Sequence, residues 1–247
     1  MTPEIAFYVV AGAAAGGLIN GLAGFGTALF ALGFFLNVMP PVQAVAVVVI
    51  LSALTGLQGV WIVRHAIGAN KRRLARFLLP ALVGIPLGVL VLSVIEARSL
   101  KLVIAAFLLL YGGYFSLRSR LPRFEKPTPV WDMLVGFFGG VLGGAASLSG
   151  ALPMMWCALR PWPRHETRAV LQPFNVVVLA LTALMLALKG AYTRDTLTHL
   201  AMAVPVAILS AQVGIAVFKR LPDAAFRRLL IAMTFVSGAV LMLREVL

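Results

Sequence analysis

Apolar stretches of about twenty residues recur along this chain with almost no charge inside them, and that pattern leaves few folds open. A helix needs about 20 apolar residues to cross roughly 30 Å of hydrocarbon. Candidate spans fall at residues 5–36, 42–63, 74–95, 99–117, 130–157, 169–188, 197–217 and 228–244. Only 12% of the 247 residues are charged and 61% are hydrophobic, so the charges cannot cover a water-soluble surface. Strand-period alternation is absent, which disfavours a β-barrel. The expected fold class is all-α: a polytopic membrane protein of about eight transmembrane helices, with the lipid bilayer as its solvent. Those spans leave no room for a soluble catalytic domain.

Charge sits between the spans. The net charge of +13 would point to nucleic acid in a soluble protein. Here Lys and Arg lie at span ends, where they reach headgroups and set orientation, so no nucleic-acid partner is expected. Three connections are basic: Arg64 to Arg76, Arg118 to Lys126, and Lys219 to Arg228. With alternating spans the first two share a face and the third lies opposite, and the excess of about 12 Lys and Arg against 9 places both termini in the cytoplasm of a cell with an inner (plasma) membrane. Trp61, Trp131, Trp156 and Trp162 fall near span ends, as an aromatic belt requires. The first five residues, Met-Thr-Pro-Glu-Ile, carry no basic charge, so the first apolar segment reads as a retained span and not as a signal peptide. A lone Cys157 excludes an internal disulfide and a cysteine metal cluster.

The chain also repeats weakly. Gly16–Phe30 (GGLINGLAGFGTALF) aligns with Gly139–Pro153 (GGVLGGAASLSGALP) at an offset of 123, with six of 15 positions identical. Gly84 and Gly88 align with Ser210 and Gly214 at an offset of 126. The expected organisation is two four-span repeats, 1–123 and 124–247. Four is even, so the halves are expected to enter from one side as parallel repeats.

Twelve of the 23 glycines lie in two short windows, Gly12–Gly26 and Gly136–Gly150. Pairs four apart, such as Gly12/Gly16 and Gly136/Gly140, suit close helix packing. The downstream ends, Gly21-Leu-Ala-Gly-Phe-Gly-Thr27 and Gly144-Ala-Ala-Ser-Leu-Ser-Gly150, string together residues that weaken a helix. Each interior glycine costs about 1 kcal/mol against alanine. Both helices should break there, and broken backbone inside a bilayer must be buried or line a watery cavity. The half-helix after each break presents unpaired N–H groups and a positive dipole end, which suit an anion.

These two glycine-rich segments, together with chain length, the four-plus-four layout and the basic connection after the second span, resemble the TauE/SafE family of membrane permeases, the sulfite-exporter family. The second segment departs from the family pattern by carrying Ser147 and Ser149 where glycine is frequent. The resemblance implies a transporter of sulfite, a sulfonate such as sulfoacetate, or a related small organosulfur or carboxylate anion.

Polar residues within spans complete the candidate site. The expected substrate-binding set is Asn20, Gly24, Phe25, Gly26, Thr27, Ser147, Leu148, Ser149, Gly150, Gln172 and Asn175. Intramembrane amides are stronger candidates than hydroxyls, which can bond their own helix backbone. Pro173 frees a carbonyl beside Gln172 and Asn175. Arg168 opens the sixth span, either anchoring at the interface or reaching inward. The eight acidic residues all lie at or near span ends, so no mid-membrane carboxylate is available for proton or cation coupling. No cofactor and no metal site are expected, because His65, His165 and His199 are dispersed. Two other readings compete. One is an intramembrane serine hydrolase using Ser149 and His199. The other is a non-transporting assembly subunit, which would need no polar cavity.

Overall fold

The computed structural model describes residues 3–117, 124–125, 127–162, 164–220 and, in the tail, 235, 238–239 and 242–243. Among the described residues, the chain forms in order α1 (Pro3–Ala23), α2 (Thr27–Phe35), α3 (Pro41–Val94), α4 (Ala97–Leu117), α5 (Pro129–Ala146), α6 (Ala151–Ala158), α7 (Arg164–Leu188) and α8 (Arg194–Arg220). No strand occurs among the described residues. Six stretches of them are long and apolar enough to cross a membrane: Pro3–Leu22, Pro41–Trp61, Val63–Val94, Pro129–Ala146, Glu166–Leu188 and Arg194–Val217. The expected fourth span coincides with α4, whose apolar core Ala105–Tyr114 is shorter. Most of the expected eighth span lies outside the described residues.

The two segments expected as long broken crossings are hairpins instead. A side chain on Gly12 would strike Phe35, and one on Gly16 would meet Thr27 and Ala31, so α2 folds back along α1. Likewise Gly139 lies against Pro153, and Gly143 against Ser149, so α6 folds back along α5. Asp132 near the start of α5 and Arg160 just beyond α6 come within 3.4 Å of each other, which closes that hairpin at its base. Each hairpin therefore enters and leaves on one face.

The close contacts fix helix direction. Gly17 and Gly21 of α1 lie against the backbone of Ala207 and Ala211, so α1 and α8 run parallel. Gly140 and Gly144 of α5 lie against Ala81 and Ile85, so α5 and the last part of α3 run parallel. Gly139 and Gly143 meet Phe174 and Val178, which adds α7 to that direction. The first part of α3 is opposed: Gly56 meets Val176, Gly59 meets Gln172, and Ala46 accepts from the Tyr192 hydroxyl at 3.3 Å. Burial pushes the Tyr192 phenol up to about 12, so it stays neutral and keeps that proton to donate. Gln58 bonds Gln212 at 3.0 Å, which aligns the first part of α3 with α8. Helix α3 thus carries two spans of opposite direction and bends back through its basic stretch, Arg64 to Arg76.

These directions correct the expectation of parallel halves. Helix α1 and helix α5 run oppositely, because a hairpin adds no net crossing and leaves an odd number of spans before α5. They also separate the N-terminal end of α1 from the basic bend of α3, which lie on opposite faces. Shifting α5 numbers back by 123 and α3 numbers forward by 126 carries the contacts Gly140–Ala81 and Gly144–Ile85 onto Gly17–Ala207 and Gly21–Ala211.

Small residues make these backbone approaches possible, as expected in a medium where lipid competes for apolar contact. A side chain at Gly140 would overlap the main chain of Ala81, which cannot rotate away. At Gly113 nothing lies within 4 Å. Gly140→Val should therefore destabilise the fold by about 1–3 kcal/mol or more, while Gly113→Ala should be neutral or slightly stabilising. Thermal unfolding in detergent would check both.

Candidate functional site

The hairpin tips meet in the interior. At the first, α1 ends at Ala23 and α2 starts at Thr27, with Gly24 at φ 78° and Gly26 at φ 97°. Only glycine takes such angles without strain, so the two glycines make the reversal possible. At the second, Ser147 takes the left-handed conformation at φ 57° and caps α5 through its N–H to the Gly143 carbonyl. The Leu148 N–H bonds the Leu142 carbonyl at 3.1 Å, and α6 begins at Ala151. The N-termini of α2 and α6 therefore open at one level, from opposite hairpins, and neither carries a side-chain cap.

All eleven residues singled out in the sequence border one cleft between these tips: Asn20, Gly24, Phe25, Gly26, Thr27, Ser147, Leu148, Ser149, Gly150, Gln172 and Asn175. The expected substrate-binding set left out Leu29, Ser52, Gly56, Ala151 and Leu179, which complete the wall. Ser52 and Gly56 lie four apart on α3, a spacing that puts small and polar residues on one helix face. Nothing in the sequence aims that face at the tips. The space left between the walls is about 20 Å³, room for roughly one water molecule.

Three amides from two helices, α1 and α7, tie the cleft together. Asn20 donates to the Thr55 hydroxyl and, at 3.5 Å, to the Ser52 carbonyl. Gln172 donates to the Gly56 carbonyl at 3.2 Å. Ser149 donates to the Asn175 side-chain oxygen at 2.9 Å. Each of these residues is buried. Three further buried hydroxyls of the cleft, on Thr27, Ser52 and Ser147, make no hydrogen bond within the protein. Such groups are costly when enclosed without a partner. The cleft thus offers surplus donors and no carboxylate.

Arg168 belongs beside this set. A side chain added at Gly24 would lie 3.3 Å from its Nε and 2.5 Å from the Gln172 oxygen. The guanidinium therefore reaches inward to the first tip and is not simply an interfacial anchor. By contrast, His199 lies on α8, which contributes nothing to the cleft wall, so Ser149 and His199 are not brought together. Ser149 bonds Asn175 instead, an amide that cannot act as a general base.

A second cavity, about 200 Å³, lies at the face of the α3 bend. Arg73 pairs with Glu166, and Asp132 sits 3.4 Å from Arg160 and 4.0 Å from Arg76. Trp156 also donates to Asp132 at 2.7 Å. The guanidinium groups of Arg64, Arg73 and Arg160 stack over Trp61, Trp162 and Trp156. Carboxylates match arginines here, so this cavity is a braced rim more than an anion well. Among the described residues no group of His, Cys, Asp and Glu could hold a metal ion.

Comparison with known proteins fits this architecture. The family model described as "Sulfite exporter TauE/SafE" matches residues 8–241. The chain belongs to the TauE/SafE family. A curated relative from Cupriavidus necator, named "Probable sulfite/organosulfonate exporter TauE", is 27% identical over 241 residues, covering 93% of this chain and 90% of that one. No solved structure matches the chain significantly. The TauE/SafE match and the apolar helices together make this a multi-pass membrane transporter of small anions.

Two glycines with nearly equal positive φ isolate the contribution of the cleft. Gly24 packs against Gln172, whereas Gly190, at φ 74°, has nothing within 4 Å. Gly190→Ala should cost about 1 kcal/mol from backbone strain alone. Gly24→Ala should cost clearly more, about 2–3 kcal/mol, because the new methyl group also displaces the Gln172 amide. Parallel melting curves of the two variants would measure the difference.

Proposed function

We propose that the two hairpin tips form the substrate site of an exporter of sulfite or a small sulfonate. The observation that carries this reading is the convergence of two uncapped helix N-termini and three hydroxyls lacking a protein partner on one buried cleft. Main-chain N–H groups near Phe25–Thr27 and Ser149–Gly150 bind the oxyanion, and positive dipole ends from both sides stabilise its charge. Asn20, Ser147, Ser149, Gln172 and Asn175 tune selectivity through donors that reorient. The exporter name of the Cupriavidus relative supports the substrate class.

The contact equivalence supports an internal repeat, 1–123 and 124–247, of inverted topology. The halves place oppositely directed hairpins against each other, an arrangement used by transporters with a midplane site. A space of about 20 Å³ is too small for a four-atom oxyanion, so the tips separate during the cycle. The arginine-rich bend of α3 marks the cytoplasmic face, in a bacterial inner membrane. This puts the start of α1 outside and replaces the expectation of both termini inside.

A site without carboxylates needs no proton partner. An anion leaving a negative-inside cell gains about 2.3 kcal/mol per charge per 100 mV. Export runs on voltage in this reading, and no chemistry is performed on the substrate. In proteoliposomes, sulfite efflux should rise with an imposed potassium diffusion potential and stay unchanged when a pH gradient is collapsed. Strict proton stoichiometry would refute voltage-driven export.

Gly26→Val and Gly150→Val test the site itself. At Gly150 an added side chain would lie 2.6 Å from the Asn175 amide nitrogen, and at Gly26 it meets both Ile19 and a φ of 97°. Both variants should insert into membranes yet lose sulfite flux by at least about tenfold. Wild-type flux in both would show that the tips are not the site.

A further inference from the structure

The cleft described above is lined by amides, hydroxyls and main-chain donors, none of them charged. Such a surface holds an anion, but it also holds a neutral polar molecule. Export driven by voltage demands discrimination by charge, and something must supply it.

Helix α7 carries Arg168, Gln172 and Asn175 at positions i, i+4 and i+7, which fall on one helix face. Gln172 and Asn175 line the cleft. Arg168 stands one turn nearer the basic face, and its Nε and Nη2 would each lie 3.3 Å from a side chain at Gly24. Its guanidinium thus packs where the α1–α2 backbone reverses, beside the uncapped N-terminus of α2. Arg168 is partly buried with its Nε enclosed, and it stands just behind the residues that border the cleft. Further out on this face, Arg73, Arg76 and Arg160 are placed against Glu166 and Asp132.

We propose that Arg168 is the charge- and shape-selecting residue of the site, engaging oxyanions that present two or more oxygens on one centre as they enter from the basic face. This rests on the reading of the tips as an anion site. The guanidinium is planar, always charged and more weakly hydrated than an ammonium. Its paired donors match two oxygens of a sulfite, sulfonate or carboxylate, while a halide can use only one direction. Lysine at the same place keeps the charge and loses the fork.

The test uses purified full-length protein with sulfite, methanesulfonate and chloride as probes, measuring binding affinity in detergent and flux in liposomes. Arg168→Gln should weaken sulfite and methanesulfonate binding by about tenfold to hundredfold, with a smaller change in maximal flux at saturating sulfite. Arg168→Lys should fold like the wild type, bind anions at intermediate strength, and lose most of the preference for sulfite over chloride. If Arg168→Gln proves unstable, that loss of preference in Arg168→Lys decides the matter. Unchanged sulfite affinity and unchanged preference in both variants, with Gly150→Val still inactive, would overturn the role of Arg168 and leave the tip site standing. Absence of binding by every probe in the wild type would overturn both.

Discussion

Inside a bilayer a main-chain N–H without a partner has no water to turn to, and the arrangement of this protein stems from that constraint. Two helices stop in the interior, at Ala23 and Ala146, and two short helices start again at Thr27 and Ala151. The donors left open at those starts can persist only if protein surrounds them. Helices α3 and α7 supply the enclosure, with Asn20, Gln172 and Asn175 knitting the walls. In the proposed site these open donors are the binding surface, so one structural liability and one function would share the same atoms.

Close backbone packing holds the hairpins in place. In lipid there is little hydrophobic force between helices, and association depends on contact and interhelical hydrogen bonds. Gly17, Gly21, Gly140 and Gly144 let α1 and α5 each press against a parallel neighbour, α8 and the last part of α3. Each hairpin is thereby fastened along its long arm, while its short arm, α2 or α6, is held mainly by the long arm itself. The ion pairs at the α3 bend brace the rim on the basic face and link α3, α5 and α7 there.

Much of the site was legible because its chemistry is local. A run such as Gly24-Phe25-Gly26 weakens a helix whatever surrounds it, and an amide in an apolar span needs a partner wherever the span sits. Hence the eleven named residues could be picked out from the sequence and are found around one cleft. Ser52 and Gly56 stayed out of the expected set because a small or hydroxylated residue on an apolar helix has many ordinary uses. Arg168 could be read either way, since its position at a span start leaves both headgroup and interior within reach of a long side chain.

The sequence alone determined that the chain is helical and bilayer-embedded, and it marked where the helices fail. These depend on the transfer energies of side chains and on helix propensity, which are properties of short segments. Tertiary structure decided the path of the chain after each failure. Gly12 against Phe35 and Gly139 against Pro153 turn each break into a hairpin, where continuation across the membrane would have been equally compatible with the local residues. That choice sets α1 and α5 in opposite directions, and it rests on contacts between segments that no local pattern encodes.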